Sequence, residues 1–175
     1  MKKALIIFSA IIMMAAFSTN LMAQPNSVTT TASANVVIPL TLVQVSNLCF
    51  GTMTSPGSGS ATVVLSPNGN ITGNGGGIVL LSQTPTPTVG SYTVTGQPNT
   101  YYNIYLPTSP VTITNPSSNT MTIDSWQTSE NNYGTVGLLN GNGTDAFTLG
   151  ATLHVGQYQS LGLYTGTFPV TVNYN

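Results

Sequence analysis

Apolar side chains recur at every second position along much of this chain. Ala32, Ala34, Val36, Ile38, Leu40 and Leu42 fall on one side of an extended backbone, which predicts a long first strand. Pro39 lies inside that run and lacks an amide hydrogen, so the strand is expected at a sheet edge, bulged or interrupted. Shorter runs rich in Val, Ile, Tyr and Thr predict strands over residues 61–66, 77–82, 92–95, 101–106, 111–114 and 120–126, with another near Val136. Phe147, Leu149, Ala151, Leu153 and Val155 alternate in a penultimate strand, and Tyr164, Phe168, Val170, Val172 and Tyr174 in the last. Between them lie turn-rich stretches such as Ser55-Pro56-Gly57-Ser58-Gly59 and Asn140-Gly141-Asn142-Gly143. Beyond the first residues no apolar spacing persists at a helical period, and no internal repeat is evident. Many short strands divided by regular turns predict an all-β, two-sheet antiparallel sandwich.

The first residues follow a different pattern. Lys2 and Lys3 precede an apolar run through Phe17, and Leu21-Met22-Ala23 supplies a small-residue junction. This is the layout of a secretory signal peptide over residues 1–23, with cleavage expected between Ala23 and Gln24 and a single domain over residues 24–175. Its apolar stretch is shorter than the ~20 residues a membrane-spanning helix needs, so no membrane span is expected. The lone cysteine, Cys49, is far from the junction, which predicts no lipid anchor, and one thiol cannot close an internal disulfide. Cys49 reads either as a buried small apolar side chain or as an intermolecular or reactive thiol.

Cleavage would remove both basic residues, since Lys2 and Lys3 account for the Lys+Arg total of 2. The formal charges that remain are Asp124, Glu130 and Asp145. A chain without cations has nothing to set against phosphates, which excludes nucleic acid and an acidic membrane surface as expected partners. So few ionic groups also suit a subunit whose neighbours cover part of its surface.

Catalytic chemistry has little to draw on, because the inventory is one His and three carboxylates. His154 with Asp124 or Asp145 is the available part of a nucleophilic triad, but it sits in an alternating strand with no nucleophile elbow nearby. Asp124 with Asp145 or Glu130 is the available carboxylate pair, and only their presence supports it. One Cys and one His make no metal-ligand cluster. The glycines at 73, 75, 76 and 77 lack the Lys and helix of a phosphate loop and read as a turn. No catalytic residue, metal or cofactor is expected. Tyr101, Tyr102, Tyr105, Trp126 and Tyr133 have the chemistry to stack on sugars, although core and sheet-surface packing is the reading expected for them.

The last strand runs to the final residue, with Tyr174 penultimate and Gly162 fourteenth from the end. In this it resembles pilin subunits of chaperone-usher fimbriae and, more broadly, spore coat protein U type domains. A fuller resemblance, over residues 34–175, is to an uncharacterised bacterial secreted family, domain of unknown function 4402. It is carried by Ala34-Asn35-Val36-Val37, Leu48-Cys49-Phe50-Gly51, Leu65-Ser66-Pro67-Asn68-Gly69, Tyr92-Thr93-Val94-Thr95-Gly96, Pro110-Val111-Thr112-Ile113-Thr114, Gly150-Ala151-Thr152-Leu153 and Tyr164-Thr165-Gly166-Thr167. The pilin resemblance implies an immunoglobulin-like fold lacking one strand, completed by the amino-terminal strand of another subunit. Residues 24–45 would then contain a donor strand with Ala34, Val36, Ile38, Leu40 and Leu42 as its knobs. Gly162, Tyr164, Phe168, Val170, Val172 and Tyr174 would form the carboxy-terminal motif. Partners implied are copies of the chain or related subunits, a periplasmic chaperone and an usher. The same residues 34–42 serve equally as the domain's own first strand. The functional expectation is an exported, non-enzymatic fimbrial or matrix subunit in the periplasm, at the surface or outside the cell, with a role in adhesion. The alternative is a secreted monomeric sandwich that binds glycans or another surface ligand.

Overall fold

The computed structural model describes residues 26–130 and 134–175. The expected Ala23–Gln24 junction and Tyr133 lie outside the described residues. Residues 26–35 carry no regular structure and are exposed. The folded unit, Val36–Asn175, is all β, and no helix occurs among the described residues. In particular, none of the described residues forms a helix long and apolar enough to cross a membrane.

The larger sheet is built around β11 (Thr144–Val155), whose twelve residues are long enough for different neighbours along one strand. Its first half pairs antiparallel with β6 (Gly90–Thr95), its second half with β3 (Ala61–Leu65) and with β9 (Thr120–Thr128). Beyond these lie β1 (Thr41–Ser46) next to β6, β4 (Ile71–Asn74) next to β3, and β8 (Val111–Thr114) next to β9. A second sheet has the order β10 (Val136–Leu138), β7 (Tyr101–Tyr105), β12 (Thr171–Tyr174). A short pair joins β2 (Thr52–Met53) to β5 (Leu80–Leu81).

Alternation along these strands sets the core. One cluster places Tyr92, Val94, Phe147 and Leu149 of the larger sheet against Tyr102 and Ile104 of the smaller one, with Phe168, Val170, Val172 and Tyr174 packed on it. The other gathers Phe50, Val63, Leu65, Ile113, Ile123, Leu153 and Val155. Trp126 touches both and lies 4.4 Å, centroid to centroid, from Phe168. Gly137 is required where β10 crosses Tyr102, since a Cβ there would lie 2.2 Å from the ring.

The all-β antiparallel sandwich expected from the alternation is what forms, with corrections at specific elements. The first strand does not span Ala32 to Leu42: the ladder begins at Thr41, after Pro39, and Ala34, Val36 and Ile38 have no strand partner. Pro39 cannot donate to a ladder, and Ile38 directs its backbone to side chains instead. As the proline implied, β1 is an edge strand, with a register shift between Gln44 and Ser46. The last strand is confined to Thr171–Tyr174; residues 164–170 are joined to a neighbour by the isolated bridge Thr114–Thr165 alone. Ile71–Asn74 pairs with β3 where a loop is expected, and the 77–82 strand shrinks to Leu80–Leu81. Asn68-Gly69 makes that hairpin turn, with Gly69 at φ 88° and its amide donating to Ser66.

Phe147 is buried and stacks on Tyr92 with centroids 5.1 Å apart. Phe147→Ala is expected to cost about 3–5 kcal/mol of stability in urea unfolding, whereas Val43→Ala, on the exposed edge strand, should stay within about 0.5 kcal/mol. Comparable losses for both would contradict this core.

Candidate interaction groove

The two core clusters are not covered all round. Between β1 with the stretch that follows it and residues 161–170 runs a groove of about 1050 Å³. Its floor is the core itself, including Phe50, Tyr92, Ile113, Ile123, Leu153 and Val155. That volume lies just above the range for small-molecule pockets, about 300–1,000 Å³. No carboxylate or imidazole lines it.

Each rim is paired on one side. On the first, Cys49 exchanges both backbone bonds with Thr88 at 2.7 and 2.8 Å, and Thr54 donates to Val79 at 2.9 Å. Gly51 is required beside it at φ 77°, because a Cβ would meet the Pro87 ring at 2.7 Å. On the second rim, Thr165 exchanges bonds with Thr114 at 3.0 and 2.9 Å, and the buried Asn115 donates from Nδ2 to the Leu161 carbonyl at 3.4 Å. From Gly166 to Val170 the backbone makes no hydrogen bond among the described residues. Pro169 offers no donor there, while Gly166, Thr167 and Phe168 do. Leu161 and Leu163 stand exposed at the lip, 86% and 64%.

The predicted carboxy-terminal motif builds this rim. Tyr164, Phe168, Val170, Val172 and Tyr174 all turn toward the core, so their alternation holds even where the ladder does not. The Tyr164 hydroxyl accepts from Gln159 Nε2 and donates to the Ser160 carbonyl, both at 2.7 Å. Gly162 lies against Asn115 at φ 140°. Past this rim, the Tyr174 hydroxyl accepts from the Gln97 amide at 2.7 Å and donates to the Ile38 carbonyl at 2.6 Å, which clamps the chain ahead of β1 to the last strand. The Gln97 side chain in turn accepts from the Ile38 amide at 3.3 Å. A Cβ on Gly96 would lie 2.3 Å from that hydroxyl, so glycine is needed for the clamp. Of the predicted knobs, Leu40 and Leu42 pack on the domain's own core, while Ala34, Val36 and Ile38 are exposed. The structure thus divides this set at Pro39. Gln97 and the Cys49–Thr88 pairing carry no pattern in the sequence that would have singled them out.

Away from the groove, His154 Nε2 lies 2.8 Å from Asp124 Oδ1 on the outer side of β11 and β9. The Ser125 hydroxyl donates to the same carboxylate oxygen rather than to the imidazole. The His154 hydrogen bond holds the Asp124 carboxyl below its usual range, partial burial opposing and Ser125 assisting. On the other side, the buried Tyr102 hydroxyl donates to Asp145 Oδ2 at 2.9 Å, and burial together with that bond raises it far above its ordinary value. Glu130 is raised by burial and then by the charge of Asp145. Trp126 and Tyr102 are taken up by packing, which leaves Tyr101 and Tyr105 as the exposed members of the aromatic set among the described residues. Among the described residues no group of three or more His, Cys, Asp or Glu side chains could hold a metal.

Tyr174→Phe removes one acceptor and one donor from the clamp and is expected to cost about 1–3 kcal/mol, with faster amide exchange at Gln97. Unchanged exchange at Gln97 would contradict the clamp. A lowered folded-state pKa means that the Asp124 contribution is present above the unfolded carboxylate value of 3.8 and lost as pH falls through the folded value. The stability difference between the wild type and His154→Gln should therefore shrink between about pH 5 and pH 2; a constant difference would contradict it.

No curated protein and no solved structure matches the chain. A family model described as a domain of unknown function, DUF4402, matches residues 40–174. The match begins just past the Ile38 clamp and omits Ala34 to Pro39, which the resemblance had included. With most of the chain covered, from the start of the first core-packed residues to the penultimate tyrosine, the protein belongs to the DUF4402 family.

Proposed function

We propose that this protein is an exported structural subunit that joins to other copies by strand addition, the groove of one copy receiving residues 26–38 of another. The observation that carries the reading is the groove itself: an apolar floor between two rims, one of which has a run of unpaired backbone. An extended chain answers both features at once, since its backbone pairs with the rim and its alternate side chains cover the floor. A small molecule or a helix would leave the rim's amides without a ladder.

Residues 26–38 have the matching character. Val28, Thr30, Ala32, Ala34, Val36 and Ile38 alternate along them, and Val28 and Val36 are 89% and 93% exposed. At about 3.3 Å per residue they reach about 40 Å, against about 30 Å for residues 161–170, so the segment is long enough for the whole rim. Leu40 and Leu42 are already used by their own domain, so the donor face shifts upstream of the set the sequence suggests. Neither the segment nor the groove carries a charged side chain, so assembly should persist at high salt. Such a subunit belongs in a fimbrial or matrix assembly at the cell surface, where adhesion is the natural role. An unfilled groove of this kind would need a periplasmic chaperone before assembly and an usher or equivalent to order it.

The test uses the exported chain from Gln24 onward at rising concentration. Multimers resistant to moderate urea are expected, together with their loss in Val36→Asp, whose site is too exposed for the substitution to disturb the fold. Cysteines placed singly at Val28, Ala32 and Val36 should form intermolecular disulfides with Cys49 in one preferred register. A chain that stays monomeric at millimolar concentration, or a Val36→Asp variant that assembles as well as the wild type, would overturn the proposal.

A further inference from the structure

The sheet formed by β10, β7 and β12 has an outward face that takes no part in the groove. Tyr102 and Ile104 are buried, so the pleat of β7 sends Tyr101, Asn103 and Tyr105 to the outside. The two tyrosines are 53% and 52% exposed. Cross-strand register sets Leu138 beside Tyr101, Asn173 beside Asn103 and Thr171 beside Tyr105. Asn103 Nδ2 donates to Asn175 Oδ1 at 2.9 Å, which fixes one amide between the rings and a second beside Tyr101. The Asn103 carbonyl oxygen and the Asn175 amide nitrogen keep hydrogen-bonding capacity to spare. Four residues of strand separate the tyrosines by about 13 Å. None of the three strands carries a charged residue.

We infer that this face is a binding platform for a neutral polysaccharide, with Tyr101 and Tyr105 stacking on sugar rings and Asn103 and Asn175 meeting their hydroxyls. The chemistry selects the class of ligand. Tyrosine offers a rigid apolar surface at small entropic cost, and asparagine adaptable donors and acceptors. A pyranose presents the complement, C–H faces flanked by hydroxyls. An anionic polymer would find no cation here, and a protein partner is usually anchored in a desolvated pocket, which this face does not offer. The platform is independent of strand addition, because no residue of β7, β10 or β12 lines the groove. It also narrows the sugar-stacking role within the expected aromatic set to two residues that solvent reaches.

The experiment is affinity electrophoresis of the exported chain through gels containing neutral β-glucan, mannan or dextran, with alginate as the anionic control. Retardation by at least one neutral polymer is expected, and the Tyr101→Ala/Tyr105→Ala double variant should weaken it by about tenfold or more. Tyr101→Phe/Tyr105→Phe should retain most of the binding, since the rings remain. Tyr105→Trp should strengthen it and report it by fluorescence, which keeps the test open if the alanine variant folds poorly. The inference is overturned if no neutral polymer retards the chain, if alginate alone does, or if the double alanine variant binds as well as the wild type. It is equally overturned if that folded variant loses self-association while its retardation is unchanged.

Discussion

An extended segment with apolar residues on one side and unpaired amides along its edge is a template for another strand, and the segment from Gly166 to Val170 is in that position. β11 pairs with β6, β3 and β9 in turn, and so organises both halves of the core. Its reach ends before the stretch between β1 and residues 161–170. There the same side chains that make the core, Ile113, Ile123, Leu153 and Tyr92 among them, become the floor of a groove. The opening is held from both sides: Thr165 and Asn115 fix one rim to β8 and its following turn, and Cys49 and Thr88 tie down the other. The groove is therefore a built feature of the sandwich.

Most of the architecture was legible in the sequence because a half-buried strand announces itself by alternation. The pattern placed β3, β6, β7, β8, β9 and β11 within a few residues of where they form. It failed where alternation and hydrogen bonding part company. Phe168, Val170 and Val172 face the core as the pattern requires, yet residues 166–170 belong to no ladder, since periodicity records which way side chains point and not whether a neighbour exists. At the other end Ala32 to Ile38 alternate as well as any strand, yet the ladder starts only after Pro39, and Ile38 is held through its backbone by Gln97 and Tyr174. The short β4 was hidden for the opposite reason, its glycine and asparagines reading as a loop until the Asn68-Gly69 turn folds them back on β3.

The site was legible only in part. Tyr174 was singled out by its position near the end of the chain, but its partners Gln97 and Ile38 are joined by backbone groups, which leave no trace in residue type. The aromatic set was visible as composition, and only burial could sort it into Trp126 and Tyr102 inside and Tyr101 and Tyr105 outside. Low charge takes on a physical meaning in this light. A surface that meets its partners as proposed, through backbone ladders, apolar knobs and neutral sugars, would have no use for ion pairs, and Asp124 and Asp145 are engaged locally, with His154 and Tyr102.

The central claim is that the rim from Gly166 to Val170 awaits a strand from another copy. Residue-resolved amide hydrogen exchange of the chain from Gln24 onward, at micromolar and at millimolar concentration, addresses it most directly. The account predicts rapid exchange at Gly166, Thr167 and Phe168 in the dilute monomer, with strong protection of at least Gly166 or Phe168 once the chain is concentrated. Strong protection already present in the dilute monomer would mean that the chain fills its own groove, and would contradict it.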